Sequence, residues 1–332
     1  MRYFGSKTSV VEQIYSVVSG KIPSGSFCDP FGGIGTVGSY FKQKGYAVIT
    51  GDILEFAHTY QVAKIEQDSC PTFERLKSVL KISNEMEITD YLNAVKPVTG
   101  WLTREYGVQR KFFTKYNARR IDACYIKILN WKKKGLLTKY EYSTLIASLI
   151  NSVDKVANTA GTYYAFLKSW HRKASNPFCF ELITPSIGAS GCRSYRMDAS
   201  AMVKAYSSDI LYLDPPYNGR SYARYYHLPE TIALGLQPAV TGLSGMPVYD
   251  FRRSKFNSAR SATKALEDLL KFSKFRVLVF HYSDDGFISP MDAKKILQLH
   301  GLVTEFEINA TGYTSTKRSR SVKHRMYLVE NS

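Results

Sequence analysis

The chain has 332 residues, with 45 Lys+Arg against 28 Asp+Glu for a formal net charge of +17, and 14% of its residues are aromatic. That length holds the core of one α/β domain plus an insertion, and such a charge draws polyanions toward the surface. Cys28, Cys70, Cys124, Cys179 and Cys192 form no CxxC or Cys/His pattern, six histidines give no HExxH pair, and no apolar run reaches membrane length. A disulfide framework, a zinc site and a membrane span are therefore excluded, and an odd thiol count suits a reducing cytoplasm. A basic charge also serves solubility alone, so its distribution along the chain decides what it means.

The segment Tyr3-Phe4-Gly5-Ser6-Lys7 stands almost at the start, which leaves no room for a signal peptide or long arm. Ser26–Gly38 reads as a short strand, a glycine turn and a helix running to about Lys44. Glycines there let a ligand approach the backbone and free the N–H groups of the following helix. A second strand, Tyr46–Thr50, ends near Asp52, where an acid holds a ribose diol in dinucleotide folds. Gly33-x-Gly35-x-x-Gly38 also spells a dinucleotide fingerprint, but no Gly-Lys-Ser/Thr follows, so the turn is not a P-loop.

From about residue 65 to 190 the character changes to Lys, Tyr and amphipathic helix. Thr138–Asn151, with Leu145, Ile146 and Leu149 on one stripe, is the clearest helix. Arg110, Lys111, Lys115, Arg119, Arg120 and Lys132–Lys134 crowd this block. They suit a nucleic-acid face, although a charge run is more often simply solvated. Trp170–Phe178 mixes aromatic, basic and amide groups before a strand-like Phe178–Ile183.

Further on, Ile210-Leu211-Tyr212-Leu213 reads as a buried parallel strand that two prolines stop at Asp214-Pro215-Pro216-Tyr217. The result is a stiff turn at a strand's carboxyl end, offering a carboxylate, free carbonyls and an aromatic face. That set fits an exocyclic amino group on a flat base; the bland alternative is a strand-ending turn with a core tyrosine. Arg220, Tyr222, Arg224 and Tyr225 follow directly, placed to grip phosphates. Phe275–Phe280 is another strand, and Ala259–Lys271 and Pro290–Leu299 have helical spacing. Lys317–Arg325 lies between Tyr313 and the apolar Met326–Val329 and reads as a basic hairpin loop.

Taken together, Tyr3–Lys7, Asp29-Pro30-Phe31-Gly32-Gly33-Ile34-Gly35, Asp52, Asp198 and Asp214–Tyr217 have the order and rough spacing seen in Dam-like DNA adenine-N6 methyltransferases. The chain resembles that family, and within it the type II restriction–modification branch, which Asn158–Lys168 and Tyr225–Leu228 also resemble. The resemblance leaves residues 65–155 unmatched, and Asp198 lacks the glycine that often precedes this acid. It implies a Rossmann-like α/β sheet for S-adenosylmethionine with an inserted, mainly helical target-recognition domain. The catalytic domain would comprise 1–64 and 190–332, and the insertion 65–189. It further implies that Tyr3 and Lys7 close over the cofactor, and that Asp29, Phe31, Gly33 and Gly35 border its methionine half. Asp52 would hold the ribose, Ile53 the adenine ring and Asp198 the adenine amino group.

The chemistry of the tetrapeptide agrees with that resemblance. An adenine amino group is a poor nucleophile because its lone pair is conjugated into the ring. Asp214 and the Pro215 carbonyl, accepting its hydrogens, would turn that lone pair toward an activated methyl, with Pro216 stiffening the loop. Tyr217 would stack on a base flipped out of the helix. No Pro-Cys nucleophile of the cytosine-C5 kind occurs, and Asp at 214 favours adenine N6 over cytosine N4. Lys168, His171, Arg172, Arg220, Tyr222, Arg224, Lys317, Arg318 and Arg320 are the expected contacts to double-stranded DNA. The expectation is a monomeric, cytoplasmic adenine-specific methylase, bacterial or phage-encoded, with no metal and a separately encoded restriction endonuclease as counterpart. The rivals are an RNA or cytosine-N4 methyltransferase, a NAD-dependent oxidoreductase and a catalytically silent DNA-binding module.

Overall fold

The computed structural model describes every residue except Arg2, Asp250, Arg252, 312–320 and Ser332, and leaves aside the side chains of 309–311 and 321–323. It divides into two compact units, one of Met1–Phe4, Val62–Pro185 and Tyr222–Phe251, the other of Gly5–Gln61, Ser186–Ser221 and Arg252–Ser332.

The second unit is built on a seven-stranded sheet. Its strands are β1 (Ser26–Asp29), β2 (Ala47–Asp52), β3 (Arg193–Arg196), β4 (Ser208–Leu213), β5 (Phe275–Ser283), β6 (Leu302–Thr311) and β7 (Ser321–Glu330). They lie in the order β3-β2-β1-β4-β5-β7-β6. The first five are parallel, and β7 runs antiparallel to both β5 and β6. The parallel part therefore has the 3-2-1-4-5 order of a Rossmann-like fold, with its switch point between β1 and β4. β4 is central and apolar along Ile210–Leu213, as a strand covered on both faces must be. On one face its Leu211 and Leu213 join Leu278, Phe280 and Tyr327 in a core closed by the helices Ala262–Lys271 and Pro290–Leu297.

The first unit is mainly helical. Its longest helices are Lys115–Lys133 and Lys139–Lys155, the latter opened by a capping box between Thr138 and Glu141. The expected stripe of Leu145, Ile146 and Leu149 is fully buried. Phe178–Ile183, read as strand-like, joins no sheet. Its extended backbone is satisfied by side chains instead: Asn117 takes the Phe178 N–H, Asn93 brackets Phe180, and Ser152 and Ser148 take the N–H groups of Glu181 and Ile183. Such polar side-chain partners are invisible to a hydrophobic-periodicity argument.

The unit limits near 62 and 185 fall close to the expected 65–189 insertion, but Met1–Phe4 and Tyr222–Phe251 also pack with the helical unit. The helix His227–Leu234 explains the latter, because Tyr125 donates to the carbonyls of Ile232 and Leu236, and the His227 ring bonds the Tyr163 carbonyl at 2.8 Å.

Part of the basic character of this unit is internal. Arg110 bonds the carbonyls of Gly242 and Glu105, Arg119 that of Pro97, and buried Arg120 those of Val95 and Asn93. These three arginines therefore serve the fold, whereas Lys111, Lys115 and Lys132–Lys134 are exposed. A buried acid, Asp122, accepts the N–H groups of Gly100, Leu102 and Thr103 and the Thr103 hydroxyl, and so caps the start of a neighbouring helical segment. Replacing it, Asp122→Ala, strands several buried donors and should cost roughly 2–3 kcal/mol in denaturant unfolding, while Asp122→Asn recovers part of that.

Candidate active site

Three carboxylates sit where the central parallel strands of the sheet unit end. Asp29 closes β1, Asp52 closes β2, and Asp214 follows β4. The parallel pairing of β1 with both β2 and β4 brings these ends side by side at the switch point. Asp29 is buried, and burial with the nearby Asp214 charge holds its carboxyl well above the usual range. Burial also pushes Asp52 up to about 6, against backbone N–H groups from Leu54, Gly33 and Ile53. Asp214 is raised by burial too, with Lys7 opposing the shift.

Lys7 is the cation of this cluster. Its ammonium lies 2.9 Å from Asp214 Oδ2 and 3.3 Å from the Gly5 carbonyl, and only 7% of the residue is exposed. Lys7 lowers both Asp214 and Asp29, but burial outweighs it at each.

The glycine turn between β1 and the helix Thr36–Gln43 is held tightly. A side chain at Gly32 would strike Thr50 Oγ1 at 2.1 Å, and Gly35 has φ 79° just before the helix. The Gly33 N–H donates to Asp52 at 3.2 Å and its carbonyl accepts from Gln61 Nε2 at 2.8 Å. Gln61, which clamps the turn from below, gives no motif signal in the sequence. Phe31 packs edge-on to Phe256 at 5.4 Å, and Ile53 is half-buried beside Asp52.

Beyond β4, Pro215 is buried, Pro216 is half-buried, and Tyr217 stands half-buried with its ring perpendicular to Tyr282 at 6.3 Å and to His324 at 5.7 Å. Its carbonyl accepts from the Phe287 N–H at 2.9 Å. Asn257 fastens the following loop by donating to the carbonyls of Asn218 and Arg220. Both supports come from distant segments, so the sequence carries no local sign of them.

Asp198 is exposed and caps the helix Ala199–Ala205 through the Ser200 N–H at 2.9 Å, a structural duty that itself accounts for an acid there. Tyr3 belongs to the helical unit and stacks on Tyr226 at 5.1 Å. Tyr222 is half-buried in the same aromatic group, 5.6 Å from Tyr3 and 6.3 Å from Phe4. Lys168, His171, Arg172, Arg220 and Arg224 are exposed, although the His171 ring accepts the Lys173 N–H and so caps the short helix Arg172–Ser175. Lys317, Arg318 and Arg320 lie outside the described residues. Arg325, at the end of that basic run, is tied to Asp284 at 2.7 Å and to Glu305. Among the described residues no His/Cys/Asp/Glu group could hold a metal, and no helix is long and apolar enough to cross a membrane.

S-adenosylmethionine combines a sulfonium, an ammonium and a ribose diol. The half-buried Asp52 at the end of β2 fits the diol, and the close-packed glycine turn fits a backbone-hugging ligand.

Comparison with known proteins bears on the same residues. The profile of the D12 class N6 adenine-specific DNA methyltransferases matches residues 3–282, from Tyr3 past the tetrapeptide to the end of β5. The chain is 34% identical over 325 residues to the type II methyltransferase M.FokI of Planomicrobium okeanokoites, covering 96% of this chain and 50% of that protein. It is 31% identical over 331 residues to the modification methylase StsI of Streptococcus sanguinis, covering 97% and 50%. Against the type II methyltransferase M.NlaIII of Neisseria lactamica, identity is 32% over 329 residues, covering 97% and 94%. The chain thus spans about half the length of the first two relatives and nearly all of the third. The match along most of its length makes this chain a member of the D12 class of N6 adenine-specific DNA methyltransferases.

Proposed function

We propose that the chain transfers a methyl group from S-adenosylmethionine to adenine N6 at a specific site in double-stranded DNA, as the protective methylase of a restriction–modification system. The observation that carries this reading is the ion pair between buried Lys7 and half-buried Asp214 at the switch point, beside Asp29 and Asp52. The cofactor supplies a methyl group on a cationic sulfur. Asp29, Phe31, Gly33 and Gly35 would line its methionine portion, Asp52 its ribose and Ile53 its adenine, with Tyr3, Lys7 and Asp198 as further contacts. Asp214 would accept one hydrogen of the target amino group and the Pro215 carbonyl the other, turning the nitrogen lone pair toward the methyl. Lys7 opposes the upward shift that burial gives Asp214, and so favours its ionised, hydrogen-accepting form. Tyr217 would stack on the flipped base and exclude water.

The helical insertion, residues 65–189, would read the target sequence, with Lys168, His171, Arg172, Arg220, Tyr222 and Arg224 at the duplex. Lys317, Arg318 and Arg320 would grip phosphates. The protein would act as a monomer in the cytoplasm, with the cognate endonuclease encoded separately.

Incubation with labelled cofactor and mixed-sequence duplex, followed by nucleoside analysis, should give N6-methyldeoxyadenosine. Label in RNA alone, or in cytosine, would overturn the reading. Asp214→Ala should lower the methylation rate by about 10²–10³-fold while cofactor affinity changes far less.

Cofactor binding should also report the Asp52 titration. A diol and a cation both prefer the carboxylate, so affinity is full above the Asp52 value of about 6 and falls as pH drops through it. Calorimetry across that range should show the fall, and Asp52→Asn should flatten it. Replacing Lys317, Arg318 and Arg320 together by alanine should weaken binding on every DNA sequence. The slope of log K against log salt should shrink by about 0.9 per lost phosphate contact; an unchanged slope removes the loop from the interface.

A further inference from the structure

The loop that leaves the tetrapeptide has no regular structure, since β4 ends at Leu213 and the next helix is Tyr222–Tyr225. Its carbonyls must therefore be met from elsewhere. The Tyr217 carbonyl accepts the Phe287 N–H at 2.9 Å and lies 3.5 Å from the Tyr282 hydroxyl. The Asn218 and Arg220 carbonyls both accept from the side-chain amide of Asn257, at 2.9 Å and 3.1 Å. An asparagine amide carries two hydrogens, and each finds a carbonyl here. Inside the loop, the Asn218 side chain takes the Arg220 N–H at 3.0 Å.

Asn257 is itself fixed in place. It ends the short helix Lys255–Asn257, whose start Ser254 caps by taking the Phe256 N–H at 3.2 Å. The Ser254 carbonyl accepts the Asn257 N–H at 3.0 Å, and the Ser261 hydroxyl donates to the Lys255 carbonyl at 2.6 Å. Phe256, only 4% exposed, is sunk in the sheet core and packs edge-on to Phe31. The segment Ser254–Asn257 is thus a bracket that holds its amide against the loop. The bond to the Arg220 carbonyl is exposed, where water would meet the same acceptor, so it adds little to stability. What it adds is a fixed position.

Backbone rotation at Tyr217 is restrained from both sides. Pro215 and Pro216 stiffen the entry, and the held carbonyls of Tyr217 and Asn218 fix the peptide planes at the exit. Tyr282 and His324 then stand edge-on to the ring itself. We infer that Asn257 is a positioning residue for methyl transfer: by fixing the exit of the loop, it sets the Tyr217 ring to receive a flipped base. The inference rests on the methylation reading above, in which Tyr217 stacks on the target adenine. A misplacement of about 1 Å near a reacting centre costs on the order of 10²-fold in rate, so a loose ring is expensive. Asn257 bonds the loop, whereas its neighbour Phe256 makes the contact to Phe31. Loss of the Asn257 amide therefore falls on the bound base and spares the cofactor.

The test is Asn257→Asp, which keeps the shape and removes both donors; Asn257→Ala, which adds no charge, should behave alike. Melting temperature and cofactor affinity should match wild type. Single-turnover methyl transfer should slow by about 10–100-fold, with duplex affinity changed by less than about threefold. With 2-aminopurine at a target adenine located by sequencing methylated DNA, the fluorescence rise on flipping should shrink. In a Tyr217→Ala background the same substitution should cost less than about twofold, because Asn257 acts through that ring. A wild-type rate in both variants, a matching loss of cofactor affinity, or an additive loss beside Tyr217→Ala overturns the inference. Hydrogen exchange at amides 218–221 reads the loop independently of turnover. It should rise by about tenfold in Asn257→Asp, and unchanged exchange overturns the inference as well. A wild-type protein that methylates no DNA defeats the functional reading instead, and leaves the exchange result standing.

Discussion

Three carboxylates lie at the ends of adjacent parallel strands, and the buried Lys7 ammonium is paired to one of them. Asp29, Asp52 and Asp214 are all pushed above their ordinary values, chiefly by burial, and Lys7 offsets only part of the cost. A protein bears such a cost at a site that receives positive charge or hydrogen-bond donors. The parallel pairing of β1 with β2 and β4 is what concentrates the acids, since parallel neighbours present their carboxyl ends at the same edge of the sheet.

The supports of this cluster are as specific as its members. Gln61 and Thr50 crowd the glycine turn, leaving no room for a side chain at Gly32. Asn257 pins the loop beyond Tyr217, and Tyr282 and His324 stand against the Tyr217 ring. Held this way, an acceptor and an aromatic ring keep their geometry without help from a ligand, which is the condition for electrostatic preorganisation.

In the helical unit the basic composition has two separate uses. Arg110, Arg119 and Arg120 spend their guanidinium groups on backbone carbonyls of irregular segments. Lys111, Lys115, Lys168 and Arg172 remain at the surface, where they add to the field that attracts a polyanion. Counting charges along the sequence merges these uses, because arginine is equally suited to phosphates and to carbonyls.

The parts of this protein governed by local chemistry were legible from its residues. The apolar run before Asp214, the two prolines, the glycine turn and the Thr138 helix start each follow from backbone restriction or short-range patterning, and the strands and helices formed where those signals stood. The tertiary structure decided what depends on distant partners. It turned Phe178–Ile183 into extended chain bonded to Asn93, Asn117, Ser148 and Ser152, and packed Tyr222–Phe251 with the helices. It gave Asp198 a capping role. Local sequence fixes which conformations a segment can take; which side chains share a buried dielectric is settled only when strands 50 or more residues apart come together, as β1 and β4 do.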